Sequence, residues 1–393
     1  MRPLGIYVQI PFCASKCSFC NFSSRVERPV LFDRYCSALV QEIGRLPAAL
    51  KAHGLAEEVL TYPVDTVYFG GGTPPLLGAE RLEGIVRALQ ARFEVQAGCE
   101  FTIEVTPGSA DTQFLARAMG MGMNRLSIGA QTFEAQELRA VGRLHSAAET
   151  RELVRRARSV GFANLSIDLV AGLPHQTVES WRRNLDAVLR LTPQHISLYL
   201  FEIDEKSRLG REVLQSGMRY HAPAVPGEEF MADAYQMGRE VLGREGYIQY
   251  EISNFARPGY ESRHNLKYWQ LAVYVGLGAG AHSFDGTNRW ANEDDARLYI
   301  DRLAGLGSPV AWARKLSPEE QVEEFFFLGL RQMEGVSLGL ARGRWGWDLL
   351  SRWQAKIETL TQNGLLTMAG DNFRLAETAY LISNEVFQEF VEG

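Results

Sequence analysis

Leu4-Gly5-Ile6-Tyr7-Val8-Gln9-Ile10-Pro11-Phe12-Cys13-Ala14-Ser15-Lys16-Cys17-Ser18-Phe19-Cys20-Asn21-Phe22 joins an alternating apolar run to three cysteines spaced C-x3-C-x2-C. A strand feeding such a loop throws three thiols toward one point. Soft thiolates suit iron–sulfur clusters or zinc. Structural zinc closes with four ligands, and no fourth Cys or His follows at finger spacing. Three thiolates on a four-iron cube leave one iron open to a small molecule. The plain alternative is a reduced surface loop with chance cysteines.

Outward from that loop, composition bounds the answer. The 393 residues exceed one ordinary domain, so a large domain with a smaller one is expected. Hydrophobic residues at 46% and charged residues at 22% suffice for a sizeable core. A net charge of −6 gives no reason to expect nucleic acid as a partner. No apolar run reaches the roughly 18–20 residues needed to span a bilayer, and the N-terminus lacks a signal-peptide pattern. Five cysteines with three clustered do not make a disulfide framework, and Cys36 and Cys99 read as small buried hydrophobes. A soluble cytoplasmic protein is expected.

Strand-like runs recur at Leu4–Ile10, Thr66–Phe69, Phe101–Val105, Arg125–Ile128, Leu165–Val170 and Ile196–Leu200. Helical patterns lie between them, with Phe32, Tyr35, Leu39 and Ile43 on one face of the first and Leu82, Ile85, Val86 and Leu89 on the second. Strand alternating with helix implies parallel strands and right-handed crossovers. Six units predict an α/β fold, a partial (β/α)6 TIM-like barrel, with its site at the C-terminal strand ends.

The motifs fall at those ends. Gly70-Gly71-Gly72-Thr73-Pro74-Pro75 follows the second strand; its glycines let a ligand approach the backbone, although a tight turn explains them equally. Glu104 ends the third strand, where an acid can pair with an ammonium; a solvent-facing edge residue is the bland reading. Gln131 leaves the fourth strand as a polar contact. Arg143 could clamp a carboxylate bidentately, although a bare Arg is more often a surface residue. Asp168 on the fifth strand suits ribose hydroxyls.

Further on, His264 stands beside Tyr268 and Trp269, an arrangement that reads either as a packing cluster or as an axial nitrogen with stacking surface for haem. The run Gly276–Gly280 admits a ligand or a neighbouring strand, and His282 is a second candidate ligand. Arg208–Gly227, with Pro223 and Pro226, reads as a mobile loop over the site. Ser317-Pro318-Glu319-Glu320 predicts a helix start, and a hairpin turning at Asp371-Asn372 completes a winged-helix-like module. Lacking a basic balance, that module reads as a cap or partner surface, not a DNA reader.

The cysteine spacing and strand-end motifs resemble the radical S-adenosylmethionine (SAM) superfamily, and within it the coproporphyrinogen III oxidase-like group. The resemblance covers nearly the whole chain. It implies a 4Fe–4S cluster on Cys13, Cys17 and Cys20, with SAM on the open iron. It places Tyr7 near the methionyl group and Phe19 against the cofactor. Gly71, Gly72 and Thr73 match the glycine motif; Glu104, Gln131, Arg143 and Asp168 match SAM contacts. The oxidase proper carries a further cysteine where this chain has Phe22, which marks the HemW branch of haem chaperones; Asn21 replaces that branch's usual Asp. In that branch His-Asn-x-x-Tyr-Trp is proposed to bind haem, and His264 fits it. Three segments are expected: a core at 1–205, an extension with the haem segment at 206–312, and a C-terminal module at 313–393. The implied partners are haem, haem-recipient proteins, an electron donor, and membranes only peripherally through recipients. Monomer or homodimer stays open, as does enzyme against chaperone: an oxidase-like radical reaction on a tetrapyrrole is the alternative.

Overall fold

The alternating runs predict six parallel strands, and the computed structural model of the chain forms them where predicted. It describes residues 3–305 and 307–391; residues 1, 2, 306, 392 and 393, inside the three expected segments, lie outside the described residues. In chain order come β1 (Leu4–Ile10), α1 (Pro29–Ala52), β2 (Val64–Gly71), α2 (Ala79–Arg92), β3 (Val95–Val105), α3 (Thr112–Gly120) and β4 (Arg125–Gln131). Next are α4 (Ala135–Ala140), α5 (Ala147–Ser159), β5 (Asn164–Ala171), α6 (Val178–Arg190) and β6 (His195–Leu200). β1 to β6 pair in sequence, all parallel. Side chains of these strands are buried almost throughout, as a sheet covered by helices requires. Half-exposed positions within the strands include Tyr7, Tyr68, Glu104, Gly129 and Asp168. The helices start on local signals: Ser146 with Glu149, and Thr177 with Ser180, form capping boxes, and Asp111 caps α3.

Beyond β6 lie α7 (Arg208–Leu214), α8 (Glu228–Arg244), β7 (Ile248–Glu251), β8 (Asn254–Ala256), α9 (Arg263–Trp269), β9 (Tyr274–Leu277), β10 (His282–Phe284), β11 (Asn288–Asn292), α10 (Ala296–Ala304) and β12 (Val310–Lys315). They extend the sheet on both sides, in the order β12-β11-β10-β9-β1-β2-β3-β4-β5-β6-β8-β7. β9 is a seventh parallel strand, on the free side of β1. The glycine run thus serves a neighbouring strand. A Cβ on Gly276 would stand 2.1 Å from the His282 carbonyl oxygen, so only glycine lets β10 fold back there.

Trp181 on α6 is fully buried, and its indole N–H donates to the Ala234 carbonyl of α8 at 2.8 Å. Burying roughly 200 Å² of indole contributes on the order of 5 kcal/mol. The extension is tied to α1 through Glu42, a buried carboxylate. It accepts from the Gly278 N–H at 2.8 Å, the Asn292 amide at 2.6 Å and the Tyr299 hydroxyl at 2.5 Å. Cys36 and Cys99 are buried, as expected. Arg208–Gly227 is not an open loop: α7 and a short 3-10 turn at Arg219–Ala224 form a strap. Its Leu209 is fully buried, with its N–H on the Ser18 carbonyl of the cysteine loop at 2.8 Å. Apolar Leu209 and Ala222 supply the packing that the prolines obscured.

The C-terminal module comprises α11 (Pro318–Gly329), β13 (Val336–Ser337), α12 (Leu338–Trp345), α13 (Trp347–Gln362), β14 (Leu366–Ala369), β15 (Asn372–Leu375) and α14 (Ser383–Gln388). Ser317 caps α11 in a capping box with Glu320, and β13-β15-β14 form a small antiparallel sheet. Phe326, Trp353, Phe373 and Phe390 make its core. The module is stitched to the outer edge of β7. The Ile252 N–H donates to Arg331, the Met333 N–H donates to Tyr250, and the Arg331 guanidinium meets the fully buried Glu251 carboxylate at 3.4 Å. No helix among the described residues is long and apolar enough to cross a membrane.

Candidate functional site

β1 delivers the chain to the concave mouth, where residues 11–25 form the cysteine loop. Its base is closed by the Arg25 N–H to Pro11 and the Cys13 N–H to Arg25, at 2.8 and 3.0 Å. Its far side is held by the Ser18 N–H to Val141 at 3.0 Å. Cys13 and Cys20 are half-buried, Cys17 is buried, and all three thiols are free. Burial and the neighbouring thiols raise the pKa of Cys13; burial does the same for Cys20. Thr73 donates toward the Cys13 sulfur at 3.9 Å and Arg143 toward the Cys17 sulfur at 3.5 Å.

The thiols open onto a cavity of about 700 Å³ at the C-terminal ends of β1 to β6. Its walls gather Cys13, Cys17, Phe19, Cys20, Gly71, Gly72, Thr73, Glu104, Gln131, Arg143 and Asp168, from segments far apart in sequence. The glycine loop is locked to the cysteine loop: the Gly72 and Thr73 N–H groups donate to the carbonyls of Ile10 and Phe12 at 2.8 and 2.7 Å. Glu104 accepts from the Tyr68 hydroxyl at 2.8 Å and the Gly71 N–H at 2.9 Å. Burial pushes its carboxyl up to about 7, against the effect of the Tyr68 bond. Burial likewise raises Asp168 to about 6, opposed by its bond to Ser197. Gln131 sits in the left-handed region at φ 67, turning its amide back beside Gly129. Arg143 donates to the Gly129 carbonyl, and its Nε is buried without a partner among the described residues.

Two expected residues stand outside this cavity. Tyr7 lies one layer away, stacked on Tyr68 at 5.9 Å, and lines a second cavity. His264, expected to meet a haem iron, is fully buried. Its Nδ1 is 2.9 Å from the Thr66 hydroxyl and its Nε2 is 2.9 Å from the Tyr268 hydroxyl. Burial lowers its pKa to about 3, so the ring is neutral, with a hydroxyl at each nitrogen.

Other cavity residues were not singled out from sequence. Arg125 is 2% exposed, lines the cavity, and its Nε has no partner among the described residues; its charge acts on Glu104 and Asp168. His145 donates its Nε2–H to the Ala130 carbonyl at 3.2 Å, leaving Nδ1 buried and without a partner among the described residues. Thr106, Ser197 and Tyr199 complete the wall. The one available signal was strand alternation: Arg125 and Ser127 share a face of β4 that an apolar core would not tolerate.

The donor set fits an iron–sulfur cluster with a polar small molecule beside it. Three thiols face one space, while buried guanidinium and imidazole nitrogens around it have no partner among the described residues. The glycine loop leaves no room for a Cβ: one on Gly72 would stand 2.4 Å from the Phe12 carbonyl oxygen.

A parallel half-barrel holding such a loop at its mouth defines the radical SAM superfamily, whose model matches residues 7–188; residues 316–382 match the HemN C-terminal domain. Membership of that superfamily implies a 4Fe–4S cluster and SAM. Within it the chain belongs to the HemW family. It is 34% identical to the heme chaperone HemW of Bacillus subtilis over 386 residues, 98% of either chain. It is 32% identical to HemW of Escherichia coli, over 100% of this chain and 99% of that one. A mitochondrial radical S-adenosyl methionine domain-containing protein 1 of Bos taurus is 33% identical over 93% of this chain and 82% of its own. Among solved structures, coproporphyrinogen III oxidase (HemN) from Escherichia coli shares the fold at a TM-score of 0.84, with 24% identity, covering 99% of this chain and 90% of that one.

Proposed function

We propose that this chain is a cytoplasmic haem chaperone: it binds haem and a SAM-ligated 4Fe–4S cluster, and passes haem to recipient proteins, some of them at membranes. The observation that carries the reading is full-length similarity to HemW chaperones at 34% identity, joined to Phe22 standing where the oxidase has its extra cysteine. When bound, a cluster of this type supplies one-electron chemistry and an open iron. In this reading Cys13, Cys17 and Cys20 hold the other three irons. Glu104, as carboxylate, accepts from the methionyl amine beside Gly71, Gly72 and Thr73. Arg143 would meet the SAM carboxylate, Asp168 the ribose hydroxyls, and Gln131 would offer its amide. Phe19 excludes water from one side of the cluster, while Tyr7 backs the methionyl pocket through Tyr68. An external electron donor serves the cluster, and the chaperone works as a monomer or homodimer. The core runs over 1–205, the haem-carrying extension over 206–312 and the capping module over 313–393.

The intact strand-end contacts favour a second reading, an oxidase-like radical enzyme acting on a tetrapyrrole. One assay separates them. Anaerobically reconstituted, reduced protein with SAM and coproporphyrinogen III is expected to form no protoporphyrinogen while binding haem stoichiometrically. Turnover without haem uptake overturns the chaperone. Changing Cys13, Cys17 and Cys20 together to Ser is expected to abolish cluster absorbance, and an unchanged spectrum rejects the ligand assignment.

A further inference from the structure

Arg125 opens β4 and lines the cluster cavity, yet it is 2% exposed. Its backbone pairs with Thr102 on β3 and Asn164 on β5. Ser127, two residues on and on the same face, stands level with Glu104. The guanidinium therefore starts one layer deeper in the barrel than that carboxylate. A buried cation needs compensation, and arginine cannot shed its proton. Among the described residues, however, the Arg125 Nε has no partner and no carboxylate meets the guanidinium in a direct ion pair.

The compensation comes across a gap. Arg125 acts by charge on Glu104 and Asp168, which line the same cavity from the strands on either side. Glu104 accepts from the Tyr68 hydroxyl at 2.8 Å and the Gly71 N–H at 2.9 Å, and Asp168 from the Ser127 hydroxyl at 3.5 Å. Each carboxylate oxygen can accept twice, so both acids keep lone pairs for a ligand. A contacting arginine would have consumed them. An anion bound at Arg125 would be the other way to neutralise it, but two carboxylates beside one cation already leave a net negative charge.

The groups packed around the two acids add little charge near pH 7. Burial raises the phenols of Tyr7, Tyr68 and Tyr268, which face Glu104, and of Tyr199, which faces both acids. Tyr250, facing Arg125, is raised in the same way. Burial lowers the imidazoles of His195 and His264, so these too are neutral. Lys267, which faces His264, is paired with Asp65 at 2.7 Å. Arg143, the other cation acting on Asp168, is engaged by the Gly129 carbonyl and the Cys17 sulfur. With Arg125 in place, Glu104 stands at about 7 and Asp168 at about 6, each raised first by burial.

We propose that Arg125 is a positioning residue for SAM: a fixed counter-charge that keeps Glu104 and Asp168 ionised while leaving their oxygens free for the ammonium and ribose hydroxyls of the ligand. The inference rests on the reading of this cavity as the SAM site. No covalent step is involved.

The test is equilibrium dialysis of SAM against the anaerobically reconstituted full chain at pH 6, 7 and 8. Removing an opposite charge raises a carboxyl pKa by about 1 or more. For Arg125→Gln at pH 7, the ionised fraction of Glu104 then falls from about one half to about one eleventh, and that of Asp168 from about nine tenths to about one half. SAM binding should weaken about tenfold at pH 7, about fiftyfold at pH 6 and only about twofold at pH 8. Damage to the fold would lower affinity by one factor at every pH. Arg125→Lys keeps the cation and should stay within about twofold of wild type throughout. In a Glu104→Gln background, Arg125→Gln should cost only about twofold at pH 7, the share carried by Asp168. Arg125→Met removes the same charge while keeping a long stem, and gives the same profile should the Gln variant fail to accumulate. If wild type binds no SAM, the reading of the cavity fails. If wild type binds and the charge-removing variant matches it, or loses affinity equally at all three pH values, only the role of Arg125 fails.

Discussion

Gly72→Ala tests how the glycine loop is seated on the cysteine loop. A Cβ there would stand 2.4 Å from the Phe12 carbonyl oxygen and 2.7 Å from that of Ile10. Real Cβ contacts stay beyond 3.0 Å, so one backbone must retreat by at least 3.0 − 2.4 = 0.6 Å. Both obstacles are backbone atoms inside a hydrogen-bonded pairing, so no side chain can swing aside. The retreat stretches the bonds from the Gly72 and Thr73 N–H groups, now 2.8 and 2.7 Å, past 3.2 Å. Two weakened bonds at about 1 kcal/mol each, with about 1–3 kcal/mol of overpacking, give a loss of about 3–5 kcal/mol. Urea unfolding of the metal-free protein reads this as a lower midpoint at unchanged slope. Two variants serve as controls. Gly70→Ala meets only the side chains of Tyr68 and Glu104, at 2.7 and 2.9 Å, and should impair SAM binding more than stability. Gly84→Ala, inside α2 with nothing within 4 Å, should gain about 0.5–1 kcal/mol. A Gly72→Ala midpoint equal to wild type, with Gly84→Ala shifted as expected, refutes the packing argument.

Lys267 and Asp65 form an ion pair at 2.7 Å with both side chains about nine-tenths buried. Lys267→Met leaves that carboxylate only the half-exposed Arg263 at 3.2 Å and should cost about 1–3 kcal/mol, partly recovered by adding Asp65→Asn; calorimetric melting checks the order. Burial pushes Glu42 up to about 7 from its ordinary 4.5, opposed by the Tyr299, Gly278 and Asn292 bonds. Because the folded pKa is raised, the folded state holds this proton longer than the unfolded chain does. Stability from this group is complete below about pH 4.5 and is lost as pH rises toward 7, by about 3 kcal/mol. Wild type should therefore gain on Glu42→Gln between pH 7 and pH 5 in urea titrations; a constant difference contradicts it.

The six-strand core was legible because buried parallel strands read as unbroken apolar runs bounded by glycine and proline. The gathering of Glu104, Asp168 and the cysteines was legible for a related reason, since parallel topology sends all strand ends to one mouth. β9 was left ambiguous because Gly276 interrupts a four-residue strand, and its partner β1 lies at the other end of the chain's first half. His264 illustrates a different limit. Neighbouring aromatics look the same in sequence whether a histidine faces a ligand or the core, and the Thr66 hydroxyl at its Nδ1 comes from β2, far away in the chain. Arg125 hid for the opposite reason: one charged residue heading an apolar strand looks like a boundary, not the lining of a cavity.

The stitching of residues 331–333 to β7 bears on where this polypeptide can be cut. An open sheet keeps a row of unpaired N–H and C=O groups at each rim, and such rims recruit other chains. Here one rim is sheathed by the segment after α11, which also neutralises Glu251. Trimming the chain back to its half-barrel would therefore not liberate a simpler working unit. It would bare a sticky border and strand an anion in the interior, and clumping is the expected fate of such a fragment.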